Sequence, residues 1–223
     1  MLLLATDTSG KHGSIALAQC KGEGCSIFEV APLTGGTFSA ELIPKIAALL
    51  QKHGFSKDDI GAFAVASGPG SFTGLRVGLA AIKALAEVLQ KPIAVISLLE
   101  AVARSSPSAG DILAALDAGR GEIYLGEYKI GNSIPQLNRE WLASREQCFE
   151  AAAKTLLVTP ELSIAEEARH RGLRVEHVPH PQSDAIARLG WRKIQSGDTI
   201  APQDLEANYI RRSDAEILST KNS

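Results

Sequence analysis

Apolar positions along the chain come in two kinds, short continuous runs and stripes at helical spacing. Residues 2–8 form a near-continuous apolar run, a polar turn follows at 9–13, and a second run covers 14–18. A third short strand is predicted at 25–31, after a turn at 21–24. A helix is predicted from about Ala40 to His53, with Ser39 as N-cap, Glu41 in the first turn, Pro44 at or just past it, and Gly54 as stop. Ser56 and Asp59 have capping-box spacing for a brief turn, 62–66 reads as a strand, and a glycine-rich run at 68–78 enters a helix continuing to about Gln90. A strand at 93–96 leads into a helix opened by Ser97 and Glu100 and ending near Arg104.

After a Ser, Pro, Ala and Gly stretch at 105–110, the pattern restarts. A strand at 112–116 ends at Asp117, glycines turn the chain at 119–121, and 122–129 alternates as a strand. Helices are predicted after Ser144 and at Thr159-Pro160-Glu161, strands at 156–158 and 174–177, and a last helix from Ser183 through Ile194. The restart echoes the start: strand, aspartate, glycine turn, strand. Two such units predict an α/β protein with two lobes, each with a mixed sheet and helices, and a cleft between them. The expected division is a first lobe over 1–105, a smaller second lobe over 106–200, and a segment from 201 to 223 returning to the first lobe.

Composition narrows the function. The 223 residues carry 23 Lys plus Arg against 25 Asp plus Glu, which argues against holding nucleic acid by a strong basic field or coating an anionic membrane. The longest clear apolar run, 93–99, stops at Glu100, far short of a bilayer span, and the N-terminus reads as a buried strand instead of a signal peptide. Three cysteines without a CxxC pair predict reduced thiols and a cytoplasmic protein.

The segment Gly68-Pro-Gly-Ser-Phe-Thr-Gly-Leu-Arg-Val-Gly78 has neither a Walker Lys-Ser/Thr pair nor G-x-G-x-x-G spacing. Gly70, Gly74 and Gly78 stand four apart, and Ala81 and Leu85 extend their helical stripe. Leu75, Leu79, Ile82, Ala86 and Leu89 make a second stripe, so this helix is apolar on two faces. The helix before it is broadly apolar as well, with Leu42, Ile46 and Leu49 in one stripe and Ile43, Ala47 and Leu50 in another. Mid-helix glycine costs about 1 kcal/mol against alanine, which close approach of another helix would offset. The partner helix is either the preceding one or one from another chain. The expectation is an interface on Leu42, Ile46, Leu49, Gly70, Gly74, Gly78, Ala81 and Leu85, with Gly74→Leu blocking association and sparing the fold.

Other chemistry is thin. His12, His53, His170, His177 and His180 form no HxxxH or HExxH pair, and no GxSxG surrounds Ser71. Asp7, Ser9 and Asp117 are the weak candidates for a magnesium nucleotide, against a plain reading in which each aspartate takes the N–H groups of its own turn. Arg211 and Arg212 form a small basic spot.

Four segments carry a resemblance: Leu4-Ala-Thr-Asp-Thr-Ser9, the glycine segment 68–78, Asp117-Ala-Gly-Arg-Gly-Glu-Ile-Tyr124 and, more weakly, Asn208-Tyr-Ile-Arg-Arg212. Together they resemble the TsaB family, the non-peptidase branch of the glycoprotease family. The likeness covers the first lobe and the start of the second. It implies an ASKHA (actin-like and sugar-kinase-like) fold and a part in making threonylcarbamoyladenosine beside the anticodon of tRNAs reading A-starting codons. It implies a non-catalytic subunit that binds and activates the paralogue TsaD, the carrier of the metal-binding histidines, through the first two helices. TsaE is the associated ATPase, and self-association is implied in the absence of TsaD. No cofactor of its own is expected, ATP or ADP at the junction with TsaD being the remaining cofactor expectation, and tRNA is expected to be met through the complex. Phe38 departs from the pattern, since similar sequences often carry His before the Ser of the first helix. The rival expectation is an ASKHA phosphotransferase or ATPase with a nucleotide in the interlobe cleft, and a peptidase ranks last.

Overall fold

The computed structural model describes residues 1–34, 36–131 and 134–211. In chain order the first lobe is β1 (Leu2–Asp7), β2 (His12–Lys21), β3 (Gly24–Thr34), α1 (Phe38–Lys52), β4 (Ile60–Gly68), α2 (Phe72–Leu89) and β5 (Ile93–Ser97). It is followed by α3 (Leu98–Ser105), β6 (Gly110–Gly119), β7 (Glu122–Ile130), β8 (Gln136–Ser144), α4 (Arg145–Ala152), β9 (Leu156–Thr159), α5 (Leu162–His170), β10 (Val175–His177) and α6 (Ser183–Ser196).

The two sheets are copies of one plan. The first runs β3-β2-β1-β4-β5 and the second β8-β7-β6-β9-β10, each with an antiparallel meander followed by two parallel strands. The near-continuous apolar runs belong to central strands covered on both faces. Leu3, Leu4 and Ala5 of β1 and Ala62, Phe63 and Ala64 of β4 have no exposed surface. One face of the first sheet packs on α1 and α2 through Leu42, Ile46, Leu75 and Ile82, and the other on α6 through Ile186, Ala187 and Trp191. The second sheet is covered by α3 on one face and by α4 and α5 on the other.

This packing corrects the expected division. Helix α6 lies on the first sheet, so the chain returns to the first lobe at Ser183, well before 201. Helix α3, placed by sequence in the first lobe, packs chiefly on β6 and β7, with Ala101 turned toward the first lobe's core. Helical stripes show which residues are covered and not which sheet covers them, and that is why these boundaries shifted.

Local differences have local causes. Helix α1 starts at Phe38 with Thr37 at the N-cap position, not at Ala40 after Ser39, and the Thr37 hydroxyl bonds Glu41 and the Thr34 carbonyl instead of capping the helix. Helix α2 starts at Phe72, with Ser71 as N-cap accepting the Gly74 N–H at 3.3 Å, so Gly68 and Gly70 precede the helix. Pro160 falls outside α5, whose N-cap is Glu161. Strand β8 has no counterpart in the sequence reading: it is an edge strand whose Gln136, Leu137, Asn138 and Arg139 are exposed, so its composition resembles a loop.

Cys20 and Cys25 are register partners across the β2–β3 turn and are joined in a disulfide, which corrects the expectation of three reduced thiols. The spacing rule looked for CxxC, whereas a tight hairpin brings residues five apart face to face. Cys148 is the free cysteine among the described residues; it is buried in α4, and burial pushes its thiol up to about 12. Thiol titration should therefore find no reactive thiol in the native protein, one after denaturation without reductant, and three after reduction. Two or more reactive thiols before reduction would contradict the hairpin disulfide.

Candidate functional site

Gly70, Gly74 and Gly78 do meet a close approach, but it comes from their own chain, from Thr8 and Ser9 of the β1–β2 turn. A Cβ added at Gly70 would lie 2.4 Å from the Ser9 carbonyl oxygen, one at Gly74 2.1 Å from the Thr8 carbonyl oxygen, and one at Gly78 2.1 Å from Thr8 Oγ1. Two hydrogen bonds lock the approach: Ser71 N–H donates to the Ser9 carbonyl at 2.6 Å and Thr8 Oγ1 donates to the Gly74 carbonyl at 2.8 Å. The Phe38 ring closes the same contact: a Cβ added at Gly74 would lie 3.3 Å from it and one at Gly13 2.9 Å. The aromatic residue that departs from the family pattern is thus 6% exposed, an apolar plug under the β1–β2 turn.

The expected interface residues are corrected accordingly. Leu42, Ile46 and Leu49 are core residues at 1%, 4% and 3% exposure, and Ala81 and Leu85 pack partly buried against the same core. Gly74 and Gly78 are buried, Gly70 is exposed at the turn, and none of the three glycines offers a groove to another chain. Gly74→Leu would strike the Thr8 carbonyl and damage the fold it was expected to spare. What the helix pair presents outward is a different set. Ile43 is 47% and Val88 76% exposed, with Ala47 on α1 and Ala80 and Ala84 on α2 exposed beside them in rows of four-residue spacing. Ile43 and Ala47 stood in the second stripe read from the sequence; the row at 80, 84 and 88 was missed.

The second feature is a cleft of about 1150 Å³ between the lobes, walled by the β1–β2 turn, the start of α2, the β6–β7 turn and residues 208–211. Ser9 and Asp117 line it. Asp7 Oδ1 accepts the Ser9 N–H at 2.9 Å and the Ser9 hydroxyl at 2.5 Å, and Asp117 Oδ1 accepts the Gly119 N–H at 3.0 Å. Both aspartates therefore organise their own turns, in the same way in the two lobes. Asp7 is 6% exposed, and burial raises its carboxyl above the ordinary 3.8, the Ser9 bonds and His180 pulling it back only in part. His177 and His180 sit apart from the cleft wall, with His177 Nε2 facing the Pro160 carbonyl at 3.2 Å and His180 3.8 Å from Glu161. Arg211 pairs with Glu122; Arg212 lies outside the described residues.

A strap at 205–211 ties the lobes across one side of the cleft. Leu205 enters the core of the first lobe, Asn208 N–H donates to the Ser67 carbonyl at 2.8 Å, and Ile210 packs on the second lobe. The Glu140 carboxylate of β8 collects Ser97 Oγ from the first lobe, Tyr128 Oη from the second, and Asn208 Nδ2 from the strap. Burial and this carboxylate push the Tyr128 phenol upward, which keeps it a donor.

The duplicated sheets, the paired Asp turns and the interlobe cleft define a two-lobed α/β protein of ASKHA type. A family model described as "TsaD: tRNA N6-adenosine threonylcarbamoyltransferase" matches residues 32–200. The chain belongs to this family, and within it to the TsaB branch. It is 29% identical to the Bacillus subtilis (strain 168) protein "tRNA threonylcarbamoyladenosine biosynthesis protein TsaB" over 97% of this chain and 96% of that one. The Escherichia coli (strain K12) protein of the same name is 35% identical over 58% of this chain and 55% of its own length. Among solved structures, YeaZ from Pseudomonas aeruginosa superposes with a TM-score of 0.74 at 23% identity, covering 93% of this chain and 100% of that one.

Two predictions follow from this geometry. Gly78→Ala and Gly74→Ala should each lower unfolding stability in urea by about 1–3 kcal/mol, because a buried methyl must displace Thr8; stability equal to wild type would refute the close approach. Asp7→Asn keeps the Oδ1 acceptor and removes a buried charge. The fold favours protonated Asp7, so wild type loses stability as pH rises from 3.8 through the raised value. The variant should therefore melt higher than wild type at pH 7 and lose that advantage below pH 3.8. An advantage unchanged by acid would show that Asp7 is not a buried carboxylate.

Proposed function

We propose that this chain acts in tRNA threonylcarbamoyladenosine biosynthesis as a non-catalytic subunit that binds and activates TsaD, with TsaE as the associated ATPase. The names of the TsaB relatives support the pathway. The observation that carries the subunit role is the outward face of α1 and α2, where Ile43 and Val88 leave large apolar surface in water beside Ala47, Ala80 and Ala84. Side chains of this kind on two packed helices suit a helix-on-helix interface with a related chain. Alone, the same face supports self-association. The sequence holds no HxxxH pair, in keeping with TsaD supplying the catalytic metal site. ATP or ADP belongs at the junction of the two chains, and tRNA is engaged mainly through the complex. With the Cys20–Cys25 disulfide removing the thiol argument, the support for a cytoplasmic working compartment is the tRNA-modification pathway of the TsaB relatives.

Light scattering after gel filtration of the chain mixed with the TsaD of its organism should give a one-to-one species. Ile43→Glu and Val88→Glu place a charge in the interface and should each weaken it by at least about ten-fold while melting like wild type. Leu137→Glu, at an exposed apolar position at the start of β8, should leave it intact. Normal complex formation by both α1–α2 variants would refute this face as the interface.

A further inference from the structure

The Asn208–Arg212 motif has no part in the partner reading, yet the structure brings it to the glycine motif. The Tyr209 and Phe72 ring centroids are 5.0 Å apart, the Arg76 guanidinium carbon sits 3.7 Å from the Phe72 centroid, and Arg76 Nε donates to Tyr209 Oη at 3.1 Å. Residues more than 130 positions apart in sequence thus form one aromatic and guanidinium stack. Its rings are not sealed by it: Phe72 remains 36% and Tyr209 41% exposed, and both line the mouth of the interlobe cleft. The same cleft wall carries Lys11, Arg120 and Arg211, of which Arg211 is held by Glu122 and Arg120 is engaged within the chain.

Half-exposed rings next to a guanidinium form a surface on which a nucleobase stacks, and a cationic side chain on the same wall can meet its phosphates. Duplex bases are hidden in their own stack, whereas an unpaired base can swing out onto exposed rings. We propose that Phe72, Arg76 and Tyr209 form a stacking platform for one unpaired base of single-stranded RNA, with the adjoining phosphates lying along the cleft wall that carries Lys11. The choice of RNA as the bearer of the base rests on the proposed tRNA pathway. A chain of net charge −2 gains little from its overall field, so the contact is local and its salt dependence shallow.

The test is fluorescence anisotropy of the full chain with a labelled single-stranded RNA heptamer, with a base-paired hairpin RNA and ATP as competitors. Saturable binding of the single strand, poorly displaced by either competitor, is expected. Tyr209→Ala and Phe72→Ala should each weaken it by at least about five-fold, while Tyr209→Phe, which keeps the ring and loses only the bond to Arg76, should stay within about two-fold of wild type. In wild-type protein, a 4-thiouridine heptamer should photocrosslink to peptides containing Phe72 or Tyr209, a readout free of any folding effect of the variants. The proposal is overturned by absence of saturable binding, by unchanged binding of both alanine variants, by ATP or hairpin binding as well as the single strand, or by crosslinks confined to other peptides. The light-scattering experiment with TsaD contains no RNA, so failure of either proposal is distinguishable from failure of the other.

Discussion

The backbone contact between the β1–β2 turn and α2 is the constraint on which the rest depends. It seats the Ser9 and Thr8 carbonyls on Gly70 and Gly74 and the Thr8 side chain on Gly78, and bonds from Ser71 N–H and Thr8 Oγ1 fix it. Three consequences follow from this single contact. The turn that Asp7 organises becomes a rigid wall of the cleft, the start of α2 with Phe72 is placed at the cleft mouth, and the remainder of α2 lies flat on the sheet beside α1. The inner faces of both helices are spent on the core, so what remains for a partner is the outward rows of Ile43, Ala47, Ala80, Ala84 and Val88. The glycines serve association only indirectly, by setting the tilt and depth of the helix that displays those rows.

Duplication explains the second lobe's form. The same sheet order recurs, and Asp117 binds the Gly119 N–H as Asp7 binds that of Ser9. The copies have diverged in burial: Asp7 is sealed under the first-lobe turn, while Asp117 is exposed. Relative position of the lobes is then held by polar contacts as well as by α3, because Glu140 gathers donors from both lobes and from the strap. A half-buried carboxylate with three donors is a satisfied group, and removing it takes one partner from all three donors at once.

Much of this was legible in the residues. Central strands, the glycine segment, the strand–Asp–turn restart and the amphipathic helices all follow from periodicity and turn chemistry, and four motifs carried the family resemblance. What periodicity could not supply was direction. Leu42, Ile46 and Leu49 are apolar at helical spacing whether they meet a sheet or a second chain, and only the packed structure shows that they meet the sheet. The glycine stripe likewise announced a close approach without saying to what. Edge strand β8 hid behind its polar composition, the Cys20–Cys25 pairing behind a spacing rule suited to other motifs, and the Phe72–Tyr209 contact behind sequence distance.

The central claim is that α1 and α2 turn their inner faces to their own sheet and their outer faces to a related chain. Hydroxyl-radical footprinting of the chain, alone at low concentration and then with TsaD, reads this residue by residue. The account predicts that Ile43 and Val88 are readily oxidised in the free chain and protected in the complex, that Leu42, Ile46 and Leu49 resist oxidation in both, and that Phe28 and Leu137 do not change. Protection that appears at other residues while Ile43 and Val88 stay reactive would contradict it.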